Sequence, residues 1–153
     1  MGLDMYLTKK HYVKNWDWEE NPERKYDVDV KRGGKTIPHI KKERISYIEE
    51  EVMYWRKANQ IHAWFVENVQ DGVDECQEVY VSHDKLKELL TLCRQALFHK
   101  DPKELMPQGG FFFGGTDIDE WYWADIKDTI KQIAPLVEKD EYKGLSYYYQ
   151  SSW

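Results

Sequence analysis

Cysteine is scarce in this chain. Cys76 and Cys93 are the only two in 153 residues, and nothing about their spacing suggests a metal site. So few thiols read as free and reduced, which leads to the expectation of a cytosolic protein. Long apolar runs are also missing. No stretch approaches the roughly 20 residues that cross a bilayer, so no membrane association is expected. The start, MGLDMYLTKK, lacks the charged-then-apolar layout of a signal segment. Gly2 does not complete a myristoylation motif, because residue 6 is Tyr rather than Ser or Thr. Positive charge is not in excess either. Net charge is −6, with 22 Lys and Arg against 28 Asp and Glu. Without a global positive field to gather phosphates, general nucleic-acid binding is not expected, although a local basic site stays open. Catalytic signatures are absent as well. There is no G-x-S-x-G and no glycine-rich loop closing in Gly-Lys-Ser/Thr. His11, His39, His62, His83 and His99 are scattered, with no helical metal pair. No cofactor and no catalytic residues are expected.

What is abundant is the aromatic ring. Trp, Tyr and Phe make up 15% of the chain, in a soluble balance of 41% hydrophobic and 33% charged residues. A domain of this length does not easily absorb seven Trp, eleven Tyr and five Phe in one core. Some rings should line a pocket or an interface.

Periodicity sets out the elements. Leu3–Val13 alternates as a strand, Asn15–Glu23 is a loop carrying Trp16 and Trp18, and Lys25–Lys31 alternates as a half-exposed strand. Arg32–Pro38 connects, with Gly33 and Gly34 suited to a hairpin turn. Arg44–Val52 is read as a strand, Tyr54–Gln70 as a helix and Glu75–Val81 as a strand. Ser82 caps a helix from His83 to about Phe98. Gly110–Gly114 is a short buried strand. Thr116 or Asp117 then caps a third helix running toward Lys139, with Ile118, Tyr122, Ile126, Ile130, Ile133 and Val137 as its apolar stripe. Pro135 should disturb its last turns. Gly144–Trp153 is the final strand. Together these predict one α+β domain over residues 1–153, a mostly antiparallel sheet with about three helices packed on it.

Two stretches carry the chemistry. In EVMYWRKANQIHAWFVENV, a helical projection places Tyr54, Trp55, Ala58, Asn59, His62, Phe65, Val66 and Val69 on one face. Arg56, Gln60, Ala63 and Glu67 fall on the other. His62 then sits in the apolar face one turn after Asn59, either as a packed histidine or as a group facing a cleft beside Trp55. Arg56 and Lys57, in the first turn of that helix, are either a solvated pair beside Glu49, Glu50 and Glu51 or the cations of an anion site. In GGFFFGGTDIDEWYW the Phe trio reads as core between glycines. Asp117, Asp119 and Glu120 suit the helix dipole and would repel phosphate. They are also weak candidates for an oxygen-ligated Mg²⁺ or Ca²⁺, although no metal is expected.

MGLDMYL, YWRKANQIHAWFVENVQDG and GGFFFGGTDIDEWYW resemble a family of small proteins carried by bacteriophages, prophages and some bacteria. The three segments cover about a third of the chain and spread from its beginning to near its end. The resemblance brings no catalytic residues with it. It implies a phage-type accessory protein acting in the cytoplasm of a bacterial host. The leading expectation is a non-catalytic binder of a small anionic, nucleotide-like ligand. Trp55 or Trp64 would stack a ring, Arg56 and Lys57 would hold phosphate, and Asn59 and His62 would supply polar contacts. One alternative is a protein-interaction module inhibiting a host enzyme, with Trp16, Trp18, Trp121 and Trp123 as anchors. Another is a small hydrolase using His62 or the Asp117, Asp119 and Glu120 group. Self-association is left open.

Overall fold

Leu3, Met5 and Leu7 are fully buried, while Asp4, Tyr6 and Thr8 between them are partly exposed. That period of two is what an extended chain on one side of a core requires, and it gives strand β1 over Asp4–Tyr12. The computed structural model describes residues 2–139 and 145–153. The other strands and α-helices among the described residues are β2 (Lys31–Arg32), β3 (Lys35–Thr36), β4 (Tyr47–Arg56), α1 (Asn59–Asn68), β5 (Val79–Val81), α2 (His83–His99), α3 (Glu120–Glu138) and β6 (Ser146–Ser152). A four-stranded sheet has the order β4-β1-β6-β5, and β2 pairs with β3 in a separate two-stranded ribbon. The fold is therefore α+β, with three α-helices and a mostly antiparallel sheet among the described residues. The residues cluster into two compact units, Met1–Lys9 with Glu51–Trp153, and Lys10–Glu50.

The first unit holds the helices. Leu3, Met5 and Leu7 join Met53, Trp55, Ile61, Phe65, Leu86, Leu89, Cys93, Ile126, Ile133, Tyr147 and Tyr149 in one buried cluster. Helices α2 and α3 pack on each other. Ser82 caps α2 as expected, its hydroxyl accepting from the Lys85 N–H at 3.1 Å. Strands β5 and β6 are antiparallel, with Val79 opposite Tyr149 and Val81 opposite Tyr147.

The Lys10–Glu50 unit is built differently. Val13 is its only buried hydrophobic residue. Its hairpin turns at Gly33 (φ 59°) and Gly34 (φ 79°), the left-handed pair that a two-residue turn needs.

Several expectations require correction, among them the strand expected over Glu75–Val81, of which only Val79–Val81 forms. Tyr54, Trp55 and Arg56 belong to β4, and the helix begins only at Asn59. Burial alternates there, with Met53 and Trp55 inside and Tyr54 and Arg56 outside. Cross-strand contacts hold the extended form. The Tyr54 hydroxyl donates to Asp4, and its ring lies 5.4 Å from that of Tyr6.

Residues 25–30 form no strand. Asn15 takes the place of a strand neighbour. Its Oδ1 accepts from the Tyr26 N–H at 2.8 Å and its Nδ2 donates to the Tyr26 carbonyl.

The Phe trio is a turn, not a strand. The Phe113 N–H donates to the Gly110 carbonyl at 3.2 Å. Phe113 is buried, whereas Phe111 is 94% exposed.

Neither Thr116 nor Asp117 caps α3. Asp119 does, accepting from the N–H groups of Trp121 and Tyr122 at 3.1 Å each. Ile118 is left exposed and off the helical stripe. The helix continues through Pro135 to Glu138. The donor that proline lacks would have served the carbonyl of exposed Lys131, where solvent can replace it. Gly144, placed in the last strand by the sequence reading, lies outside the described residues.

Candidate ligand cleft

Strand β4 ends at Arg56, and the chain must reverse into α1. Lys57 makes the break. Its φ of 57° lies in the left-handed region, where a side chain costs energy and glycine is the usual occupant. The backbone there is pinned on both sides. The Lys57 N–H donates to the Leu3 carbonyl at 2.7 Å, and the Lys57 carbonyl accepts from the Asn59 N–H at 2.9 Å. The stem of Lys57 lies over two glycines. A Cβ at Gly114 would meet Lys57 Cβ at 3.2 Å, and one at Gly2 would meet Lys57 Cε at 3.1 Å. Both glycines have positive φ, so side chains there would be strained as well as crowding the lysine.

Lys57 and Arg56 form one wall of a cleft of about 360 Å³. The first turn of α1 supplies Asn59 and Gln60, and the loop before α3 supplies Pro107, Gly114, Gly115, Asp117 and Asp119. Helix α3 contributes Trp121, Tyr122 and Asp125. Two cations and three carboxylates therefore line the same cleft. Burial raises the Asp125 carboxyl to about 6, against a hydrogen bond from Gln60 that lowers it, and Asp128 and Asp119 push it further up. A half-buried acid titrating near neutrality in a cleft is the kind of group that binding and catalytic sites contain.

The other expected site residues divide sharply. Asn59 is in the wall, but its amide is used by the protein. Nδ2 donates to the carbonyls of Phe113 and Gly115 at 2.9 Å each, and Oδ1 accepts from the Gln108 N–H at 3.0 Å. It fastens the loop to the helix start and has no donor left to read a ligand edge.

Trp55 and Trp64 are each 3% exposed, so neither presents a face for stacking. Trp55 Nε1 donates to Thr129 at 2.8 Å inside the core. The ring at the cleft is Trp121, 72% exposed and already expected as an interaction anchor.

His62 is fully buried away from the cleft lining. Its Nδ1 lies 2.6 Å from the Tyr149 hydroxyl and its Nε2 lies 2.9 Å from Asp74. Nδ1 thus shares a hydrogen bond with the Tyr149 hydroxyl and Nε2 shares one with the Asp74 carboxylate. Asp74 also accepts from Trp153 Nε1 at 3.1 Å. Every polar atom of this histidine is occupied within the fold.

Trp123 is half-buried beside Leu97, Lys100, Glu120 and Lys127, and Trp16 and Trp18 lie exposed in the Lys10–Glu50 unit. Among the weak metal candidates, Asp117 and Asp119 line the cleft, while Asp119 is also committed to capping α3 and Glu120 lies in the α3 first turn. No group of three or more His, Cys, Asp or Glu poised for a metal occurs among the described residues. Among them, too, no helix is long and apolar enough to cross a membrane. Cys93 is packed in the core, where burial pushes its thiol up to about 12.

The sequence reading did not single out Asp125. One signal was present, because Asp125 sits three residues after Tyr122 and one before Ile126, at the border of the buried stripe. Comparison with protein-family models, curated proteins and solved structures gave no match to this chain.

Proposed function

We propose that the protein is a non-catalytic binder of a small anionic, nucleotide-like ligand, held in the cleft between Arg56, Lys57 and Asp125. One observation carries this reading. A lysine occupies a left-handed position that favours glycine, with its stem against two glycines and its side chain lining a cleft. Strain of order 1 kcal/mol kept where the side chain lines a cleft supports a role for that side chain. Arg56 and Lys57 would take a phosphate by charge-assisted hydrogen bonds. Trp121 would stack the ring. The Asp117 carboxylate would accept from an amino or imide N–H group of the ligand. The resemblance noted above supports a setting, that of a phage-type accessory protein in a bacterial cytoplasm. A second reading, a module that inhibits a host enzyme, is supported by the exposed rings of the Lys10–Glu50 unit.

The test is calorimetric titration of mono-, di- and cyclic nucleotides against the wild type, Arg56→Ala and Lys57→Ala. Each alanine variant should lose about one to two decades of affinity, the value of a charge-assisted hydrogen bond. His62→Gln should lower stability and leave affinity unchanged. If no nucleotide binds the wild type, the small-ligand reading is abandoned in favour of the interaction module.

A further inference from the structure

Some charged groups of the cleft have no partner in the fold. Among the described residues, neither Arg56 nor Lys57 takes part in an ion pair, and the exposed Asp117 carboxylate accepts no hydrogen bond. Cations and a carboxylate that line one small cleft without pairing leave each charge open to a ligand. A ligand that answers both carries negative charge for Arg56 and Lys57 and N–H donors for Asp117.

The neighbouring polar groups are already engaged. Asp119 Oδ1 accepts from the N–H groups of Trp121 and Tyr122, and Asp125 accepts from Gln60. Gln60 Nε2 also donates to the Tyr122 carbonyl at 3.4 Å, and Asn59 Nδ2 gives its two donors to the carbonyls of Phe113 and Gly115. The side-chain amides of the lining therefore have no N–H left for a base. Asp117 keeps both carboxylate oxygens, and an ionised carboxylate accepts without donating. Its best partner is a pair of adjacent donors, the two-pronged geometry in which carboxylates accept from arginine.

Nucleobases differ in whether they present such a pair. Guanine carries N1–H beside its exocyclic amino group, two donors side by side. Adenine and cytosine each place an acceptor ring nitrogen beside the amino group, and uracil flanks its one N–H with two carbonyls. Against those three, a carboxylate oxygen would meet a lone pair instead of a proton. We infer that the cleft selects a guanine nucleotide, with Asp117 accepting from N1–H and from the amino group while Trp121 stacks the ring. This inference rests on the nucleotide reading above and adds to it the base and the residue that chooses it.

Calorimetric titration of the full chain with the mono-, di- and cyclic monophosphates of guanosine, adenosine, cytidine and uridine tests it. The guanine nucleotide should bind tighter than its counterparts by about tenfold or more. Inosine monophosphate, which lacks the amino group, should bind about tenfold more weakly than guanosine monophosphate. Asp117→Asn should reverse the order of guanine and xanthine nucleotides. An amide offers one acceptor and one donor, and xanthine has a carbonyl where guanine has the amino group. Asp117 is exposed and does not cap α3, so circular dichroism and melting of this variant should match the wild type. Equal affinity for the four bases, or a preference for another base, overturns the guanine inference and leaves the small-ligand reading standing. A guanine preference that Asp117→Asn does not alter overturns the role given to Asp117. If no nucleotide binds, both readings fall.

Discussion

Lys57 joins fold and candidate function in one residue. Its left-handed backbone is a cost to the fold, so Lys57→Gly should leave stability unchanged or raise it by up to about 1 kcal/mol. The same substitution should lower nucleotide affinity about tenfold or more. Denaturant melts and calorimetry on one preparation separate the two effects, and a loss of stability of several kcal/mol would show that the stem is structural. Asp125 makes a pH-dependent counterpart. Its folded-state pKa is raised from 3.8 to about 6, so between those values the native state binds more protons than the unfolded chain. The contribution of this group to stability therefore falls as pH rises from about 4 through 6 and is constant above. Asp125→Asn should accordingly stabilise the protein by of order 1 kcal/mol at pH 7.5, allowing for partial solvent screening, and do nothing near pH 4. Affinity for an anion should tighten as wild-type Asp125 is protonated below about pH 6, and the Asn variant should lose that dependence. Equal melting midpoints for the two proteins at both pH values would refute the burial of this carboxyl.

At the scale of elements, the glycine-flanked Phe stretch shows where local pattern misleads. Alternation predicts a strand with Phe112 on one face and its neighbours on the other. The backbone closes a turn at Gly110–Phe113 and sends only Phe113 to the core, while the Phe112 carbonyl accepts from the Leu3 N–H at 3.0 Å. Phe113→Ala should therefore cost about 3–5 kcal/mol in denaturant unfolding, as buried Phe truncations do. Phe111→Ala should shift stability by no more than about 0.5 kcal/mol. Comparable losses at both positions would restore the strand. The elements that were legible, β1 and α2 with its Ser82 cap, each bury a stripe of matching period and carry their own end signals. The helix expected from Tyr54 was misplaced because Tyr54, Trp55 and Ala58 fit a helical face as well as a strand. Pairing of Tyr54 with Asp4 and Tyr6, some fifty residues away in sequence, made the choice.

Across the whole molecule, the contrast between the units predicts where the native state opens. Helices α1, α2 and α3 share one buried cluster, whereas Lys10–Glu50 has one buried hydrophobic side chain and ten Lys and Arg along it. Limited trypsin digestion should cut first between Lys10 and Glu50, where few buried contacts resist local opening. Mass mapping of the earliest fragments decides the matter, and first cuts in α2 or α3 would contradict the packing described.

Composition and periodicity alone determined the α+β class, the single-sided burial of β1 and α2, and the surplus of rings over core. Those properties follow from local sequence, because side-chain direction repeats every two residues in a strand and every 3.6 in a helix. Arg56 and Lys57 were expected in the first turn of a helix, whereas Arg56 ends β4 and Lys57 forms the break before α1. Tertiary structure decided the rest. It buried His62 between Tyr149 and Asp74, partners 87 and 12 residues away. It used up the amide of Asn59, put Trp121 rather than Trp55 or Trp64 at the cleft, and brought Asp125 into the same cleft as Lys57. Burial, hydrogen-bond occupancy and the raised carboxyl of Asp125 all depend on neighbours distant in sequence, and the period of a segment contains no information about those neighbours.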